Sequence, residues 1–93
     1  MNKIEAQQIL DGELLTYRHR SYNELVSLVG QKVHLECSSP SGTRYQVDVD
    51  VSWDNRPNGS ISVAGAIDDG SLLSAMLPLS RDLIIPPSES AAR

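Results

Sequence analysis

Residues 43–55 read TRYQVDVDVSWDN, and the strands on either side are predicted from how they can pair with this run. Apolar and polar residues alternate along this run, and the apolar set occupies odd positions: Tyr45, Val47, Val49, Val51 and Trp53. A period of two in β-branched and aromatic residues is typical of a strand that is buried on one face. The run therefore predicts a central strand with one face on the core and the other in solvent.

Two similar turn sequences flank this strand, Pro40-Ser41-Gly42 before it and Pro57-Asn58-Gly59 after it. Three-residue loops of this kind suit a type I turn that closes on a left-handed glycine. Segments 32–38 and 60–67 also carry their apolar residues at odd positions, so loops of odd length keep those residues on one face. We therefore predict a three-stranded antiparallel meander with positive φ at Gly42 and Gly59.

The three-residue loops also predict the strand register. In the first hairpin the expected partners are Cys37–Tyr45, Leu35–Val47 and Val33–Val49, and in the second they are Trp53–Val63, Val51–Gly65 and Val49–Ile67. A glycine inside a strand marks either a bend or a close approach of another group. At Gly65 we predict a bend; the alternative is close packing of the Trp53 ring or of the second helix.

Two helices are predicted before the sheet. Residues 3–10 are good helix formers that Asp11-Gly12 should terminate, and the following Leu14 and Leu15 should enter the core. The second helix, residues 22–29, begins at a capping box, carries an apolar stripe and stops at Gly30. This helix should lie on the apolar face of the sheet.

The chain after Ile67 predicts one or two further strands. Residues 71–77 are assigned to a fourth strand, 80–82 to a helical turn or loop, and 83–85 to a last short strand. The fold class is therefore α+β, with N-terminal helices packed on a bent antiparallel sheet of four to five short strands. A half-open small barrel is the alternative architecture. Residues 1–87 are expected to form a single domain and residues 88–93 a disordered tail.

The composition narrows the possible partners and compartments. The chain has 93 residues, a net charge of −4 and one cysteine, and the acidic excess lies in its second half. An acidic domain repels phosphate, so no nucleic-acid partner is expected. A single cysteine suits a reducing compartment, and Cys37 lies on the apolar face as a core thiol. We find no signal peptide or transmembrane span, so a cytoplasmic location without a membrane partner is predicted.

Two groups of residues are candidate binding sites. On the outward face of the meander His34 lies beside Asp48, with Asp68 near the other flank of Asp48; these residues are either a metal or acid/base site or weak cross-strand charge pairs. The basic cluster Arg18, His19 and Arg20 is either a carboxylate clamp or a solvated connection between the helices. The spacings of zinc motifs, a phosphate loop and a nucleophile with its base are missing, so no cofactor and no catalytic residue is predicted.

Several short motifs of this chain resemble a pattern in small bacterial proteins and domains without an assigned activity. They span about residues 14–85 and comprise Tyr17-Arg18-His19-Arg20-Ser21-Tyr22, Tyr45-Gln46-Val47, Trp53-Asp54, Pro57-Asn58-Gly59, Ile67-Asp68-Asp69-Gly70 and Pro78-Leu79. The resemblance implies a domain type and no mechanism. Members of that group have an aromatic residue after the Ile-Asp-Asp-Gly motif, where this chain has Ser71-Leu72-Leu73.

The sequence favours a non-enzymatic cytoplasmic module that binds a protein partner or associates with itself. An exposed sheet edge and a polar face with charges of both signs suit such interactions. A small metal-dependent hydrolase that uses His34, Asp48 and Asp68 is the alternative. A third hypothesis is an antitoxin-like or immunity-like inhibitor, because a small acidic chain can mask a basic partner.

Overall fold

The computed structural model describes residues 1–72 and 76–87. In these residues two helices precede four strands: α1 (Lys3–Arg18), α2 (Tyr22–Leu28), β1 (Lys32–Ser38), β2 (Arg44–Trp53), β3 (Ile61–Asp68) and β4 (Leu79–Ile85). The strands form one antiparallel sheet in the order β1-β2-β3-β4, so every strand pairs with its neighbour in sequence. The sheet is not closed into a barrel. The predicted α+β class and meander are confirmed.

The core lies between α1 and the odd-numbered face of the sheet. Helix α1 buries one stripe, Ala6, Leu10, Leu14 and Tyr17, and contacts β3 and β4. The odd positions of the two central strands are buried beneath it, and Leu25 is the buried residue of α2. The helices thus cover one face only, and the even-numbered face is left to solvent.

The predicted end of the first helix is wrong, because α1 continues through Asp11-Gly12 to Arg18. Its apolar stripe extends on both sides of the glycine, and the burial of Leu14 and Tyr17 outweighs the roughly 1 kcal/mol that a mid-helix glycine costs. Of the two leucines expected in the core, Leu14 is 6% exposed but Leu15 is 50% exposed, since it lies on the opposite side of the helix.

The second helix begins as predicted and ends one residue earlier than predicted, at Leu28. The Glu24 N–H donates to Ser21 Oγ at 3.1 Å, and the Ser21 hydroxyl donates to the Glu24 carboxylate at 3.4 Å. The helix is followed by Gly30 with a φ of 91°. The Tyr22 hydroxyl donates to the carbonyl of Gly59 at 2.7 Å and thereby ties α2 to the β2–β3 connection.

The predicted register is confirmed between β1 and β2 and is wrong by two residues between β2 and β3. Gly42 has the expected positive φ, 90°. In the second hairpin Val49 pairs with Gly65, because the Asp54 N–H donates to the Ser60 carbonyl at 2.9 Å and residues 55–59 form the loop. The positive φ there belongs to Asn58, at 66°, and not to Gly59. A shift of two residues preserves the faces, so the core assignment is unaffected.

Gly65 accommodates a close approach of α1. A Cβ atom added at this position would lie 2.9 Å from Leu10 Cδ1 and 3.0 Å from Leu14 Cδ2. The alternative interpretation of this glycine therefore applies, although the helix involved is α1 and not α2. The absence of a side chain lets the helix settle directly on the strand.

The last strand differs from its prediction. β4 begins at Leu79 and includes residues 80–82, which were assigned to a helical turn or loop. Of the predicted strand 71–77, residues 71, 72, 76 and 77 lie outside any strand, and residues 73–75 fall outside the described part of the chain. The proposed disordered tail, 88–93, also falls outside it. Arg81 breaks the apolar alternation of β4 because its guanidinium pairs with Asp11 of α1 at 3.5 Å.

Candidate functional site

The even-numbered face of the sheet carries most of the charged side chains of the strands. Cross-strand pairing arranges them in rows that run across the four strands. One row consists of Lys32, Asp50, Ala64 and Asp82, and the next consists of His34, Asp48, Ala66 and Ser80. Because both helices lie on the opposite face, these side chains point into solvent.

A groove of about 430 Å³ lies at the centre of this face. We call it the outer groove. It forms because Ala64 and Ala66 of β3 carry only methyl groups between the longer side chains of the flanking strands. Its lining includes the side chains of both rows, Lys32, His34, Asp48, Asp50, Ala64, Ala66, Ser80 and Asp82.

Ala64 stands between two carboxylates in one row, Asp50 on β2 and Asp82 on β4. Neighbouring strands are about 4.8 Å apart, so the two aspartates are separated by about 10 Å across the alanine. No ion pair among the described residues involves either carboxylate. The result is an apolar floor flanked by two carboxylates that form no ion pair with the described residues.

His34 and Asp48 form an ion pair at the rim of the groove. Nδ1 of His34 lies 2.7 Å from Oδ1 of Asp48, and both side chains are more than half exposed. The hydrogen bond with Asp48 raises the pKa of His34 above its ordinary value, and the negative charges of Asp48, Glu36 and Asp68 act in the same direction. The predicted neighbourhood of His34 and Asp48 is therefore confirmed.

Asp68 lies on β3 two residues beyond Ala66, which is the residue directly opposite Asp48. It pairs with Gln46, because the β2–β3 register is shifted, and its Oδ1 accepts the N–H of Gly70 at 2.8 Å. Within residues 1–72 and 76–87, no group of three or more His, Cys, Asp or Glu side chains is placed to hold a metal ion. The structure thus brings together two of the three residues of the suggested metal or acid/base site.

The basic cluster at the end of α1 does not converge on one ligand position. Arg18 lines a depression beside β4 with Asp11 and Arg81. Arg20 lies on the other side of the helix, with its guanidinium 5.2 Å from the centre of the Tyr17 ring. His19 is the C-cap residue; its backbone N–H donates to the carbonyl of Leu15 at 3.2 Å, and the Arg20 N–H donates to the carbonyl of Tyr17 at 3.1 Å. None of the three lines the outer groove.

A second groove, of about 270 Å³, lies on the helix-bearing face next to β1. Its lining includes Tyr17 of α1, Leu28 of α2, and Val33 and Leu35 of β1. Cys37 lies further along the same edge and is half-buried, and burial raises the pKa of its thiol. A raised pKa disfavours the thiolate, which agrees with the expected role of this cysteine as a core thiol.

Sequence reasoning missed the residues that shape the outer groove. Asp82 was assigned to a turn, so it was not expected beside Ala64. The available signal was the small-residue run Ala64-Gly65-Ala66, whose even positions place two methyl groups on the solvent face of a strand.

Comparison of the chain with protein-family models, with curated proteins and with solved structures finds no match. The resemblance to small bacterial domains therefore stays a prediction. None of the described helices combines the length and apolar character needed to cross a lipid bilayer.

Proposed function

We propose that this protein is a non-enzymatic binding module that holds a positively charged, extended segment of a partner protein in the outer groove. The observation that supports this proposal is the row in which Asp50 and Asp82 flank Ala64 and form no ion pair with the described residues. A lysine or arginine can lay its aliphatic stem on the alanine methyl groups and direct its charged end to the carboxylates.

The charge distribution on this face supports a cationic partner over an anionic one. Arg44 is bound to Glu36 at 3.0 Å and His34 to Asp48 at 2.7 Å, so two of the cations of this face are already neutralised. Lys32 stands beside Asp50 in the same row, so the carboxylates of Asp50 and Asp82 outnumber the one remaining cation of the groove. Such a surface raises the association rate of a basic segment and repels an acidic one.

The site is suited to modest affinity. It is open to solvent, and each exposed ion pair contributes only about 0.2–1 kcal/mol. Salt should therefore weaken binding, because dissolved ions screen charges that are exposed to solvent. We further propose a cytoplasmic location, which the single cysteine supports.

A peptide titration tests the proposal. The probe is a blocked peptide of alternating arginine and alanine, and a glutamate–alanine peptide of equal length serves as its control. We expect the arginine peptide alone to bind, with the largest amide shifts in NMR spectra at Ala64 and Ala66. Asp50→Asn and Asp82→Asn should each weaken binding several-fold, and Ala64→Lys, which fills the groove with a cation, should abolish it.

Asp54→Asn is the matched control for nonspecific attraction. Asp54 is an exposed carboxylate next to the β2–β3 loop that does not line the outer groove. Its loss changes the net charge by the same amount as the two groove variants do. Equal weakening by Asp54→Asn and Asp82→Asn, or no binding of the arginine peptide at low salt, would show that the groove is not the binding site.

A further inference from the structure

The two edges of the sheet differ in how they are protected from pairing with another strand. β4 carries Arg81 on its helix side, paired with Asp11 at 3.5 Å, and prolines stand on both flanks at Pro78 and Pro86. An inward-pointing charge and flanking prolines are devices that keep an edge strand from accepting a further strand. β1 has neither, since its residues contain no proline and its helix-side positions are Val33, Leu35 and Cys37.

The unpaired backbone groups of β1 can be assigned from the hydrogen bonds at its two ends. The Ser39 N–H donates to the carbonyl of Thr43 at 2.9 Å, and the Val51 N–H donates to the carbonyl of Gln31 at 3.2 Å. In an antiparallel ladder such residues alternate, so the odd-numbered residues of β1 bond to β2. The even-numbered residues, Lys32, His34, Glu36 and Ser38, therefore direct their N–H and C=O groups to the open edge.

The helix-side surface of β1 is also incompletely covered. Val33, Leu35 and Cys37 are half-buried, whereas Val47 and Val49 on the neighbouring strand are fully buried. Helix α1 contacts β3 and β4, and the second groove lies open above β1. An additional strand at this edge would cover apolar surface and satisfy backbone groups at once.

We propose that β1 pairs antiparallel with β1 of a second copy of this chain, about a two-fold axis at Leu35. This register aligns the whole of Lys32–Ser38 with its counterpart. The even-numbered residues then face each other and exchange the backbone hydrogen bonds that they leave open. The four-stranded sheet becomes a continuous sheet across the two copies.

The side chains of β1 are complementary to themselves in this register. Leu35 meets its own copy, and Val33 meets Cys37 of the second copy, so the helix side of the junction is apolar. On the outer face His34 meets Glu36 of the second copy, whose carboxylate also accepts from Arg44 of its own chain at 3.0 Å. Because Nδ1 of His34 is held by Asp48 at 2.7 Å, Nε2 of the protonated ring can donate to the Glu36 carboxylate of the second copy. A two-fold axis requires this kind of self-complementarity, and each pair away from the axis occurs twice in the dimer.

Disulfide trapping tests the register. Leu35→Cys in a Cys37→Ser background places two thiols in a pair that lacks mutual hydrogen bonds, with Cα atoms about 4.5 Å apart, within reach of a disulfide. Mild oxidation should convert most of this variant to a covalent dimer. The matched control is Leu83→Cys in the same background, a half-buried leucine on the protected strand β4, which should stay monomeric on a denaturing gel.

A proline variant tests the pairing without thiols. Proline at Glu36 removes an N–H that faces the open edge and leaves the β1–β2 hydrogen bonds in place. Glu36→Pro should keep its far-ultraviolet circular dichroism and raise the dimer dissociation constant at least tenfold in sedimentation equilibrium. The wild type should sediment as a dimer at the same concentration.

Three results would overturn the proposal. The wild type could sediment as a monomer with Leu35→Cys no more cross-linked than Leu83→Cys. A dimer could persist undiminished in a folded Glu36→Pro protein. Hydrogen exchange could also protect the amides of β1 only when a different protein is added, which would assign this edge to a strand of that protein.

Discussion

The methyl groups of Leu10 and Leu14 occupy the space that a side chain at Gly65 would need. We expect Gly65→Ala to destabilise the protein by about 1–3 kcal/mol, because both leucines are buried in a packed core and would have to move. Gly12→Ala is the matched control, since no atom lies within 4 Å of the added methyl group. Because Gly12 is an exposed position inside a helix, Gly12→Ala should stabilise the protein by about 0.5–1 kcal/mol. Urea unfolding measures both, and an unchanged midpoint for Gly65→Ala would contradict the close packing.

The His34–Asp48 pair makes stability depend on pH in a defined direction. The pKa of His34 is raised above 6.5 in the folded protein, chiefly by its hydrogen bond with Asp48. The stabilisation that the His34–Asp48 pair gives the folded protein is therefore fully present below pH 6.5. It is lost as the pH rises through the higher pKa that His34 has in the folded protein. Asp48→Asn should lose more stability relative to the wild type at about pH 5.5 than at about pH 8.5.

Direct titration gives an independent check of this pair. The imidazole resonances of His34 in the wild type should titrate with a midpoint above 6.5. In Asp48→Asn the midpoint should fall. A wild-type midpoint at or below 6.5, or equal losses of stability at both pH values, would mean that the ion pair is absent in solution.

The first turn of α1 is tied to the β1–β2 connection through one carboxylate. Glu5 accepts hydrogen bonds from the Tyr45 hydroxyl at 2.8 Å and from the Ser41 hydroxyl at 3.0 Å. These bonds, the one from Tyr45 above all, lower the pKa of Glu5. The stabilisation is therefore present above pH 4.5 and is lost as the pH falls through the lower folded value.

Glu5→Gln should accordingly lower the melting temperature at neutral pH and speed amide exchange in the first turn of α1. The difference from the wild type should shrink in acid. Glu13→Gln, a carboxylate change on the same helix without such bonds to the sheet, is the control. Equal exchange rates in the two variants would show that Glu5 does not anchor the helix.

Elements with a regular local pattern could be predicted from the sequence, and elements that depend on distant partners could not. The alternation in β2 and the capping box of α2 are local signals, and both predictions are confirmed. The sequence predicts only residues 83–85 of β4, because Arg81 interrupts the apolar positions of the strand, and its partner Asp11 on α1 is remote in the chain. The β2–β3 register was missed because alternation fixes only whether a loop is odd in length.

The candidate site shows the same division at the level of the whole molecule. The pairing of His34 with Asp48 followed from a hairpin that the sequence defines well. The outer groove did not, because Asp82 reaches Ala64 only through the β3–β4 pairing. When several strands contribute to a site, an error in the predicted register of any one of them makes the prediction of the site wrong.

Substitutions at Ala64 in the outer groove and at Glu36 on the β1 edge should act independently of each other. Ala64→Lys should abolish binding of the arginine peptide and leave the dimer intact, and Glu36→Pro should yield monomers that still bind the peptide. The two positions lie two strands apart, so the effects of the double variant on each free energy should add within about 0.5 kcal/mol. Calorimetry and sedimentation of the single and double variants measure this, and a peptide that binds only the dimer would contradict it.

The position of α1 has a consequence for the growing polypeptide on the ribosome. The helix is translated before the strands, yet it packs on β3 and β4, which follow β1 and β2 in the chain. The strands can pair in the order in which they emerge, since each neighbours the next in sequence. The apolar stripe of the helix has no permanent place until β4 has left the exit tunnel. The last step in the folding of this domain is therefore the docking of α1, which is synthesised before the strands on which it packs.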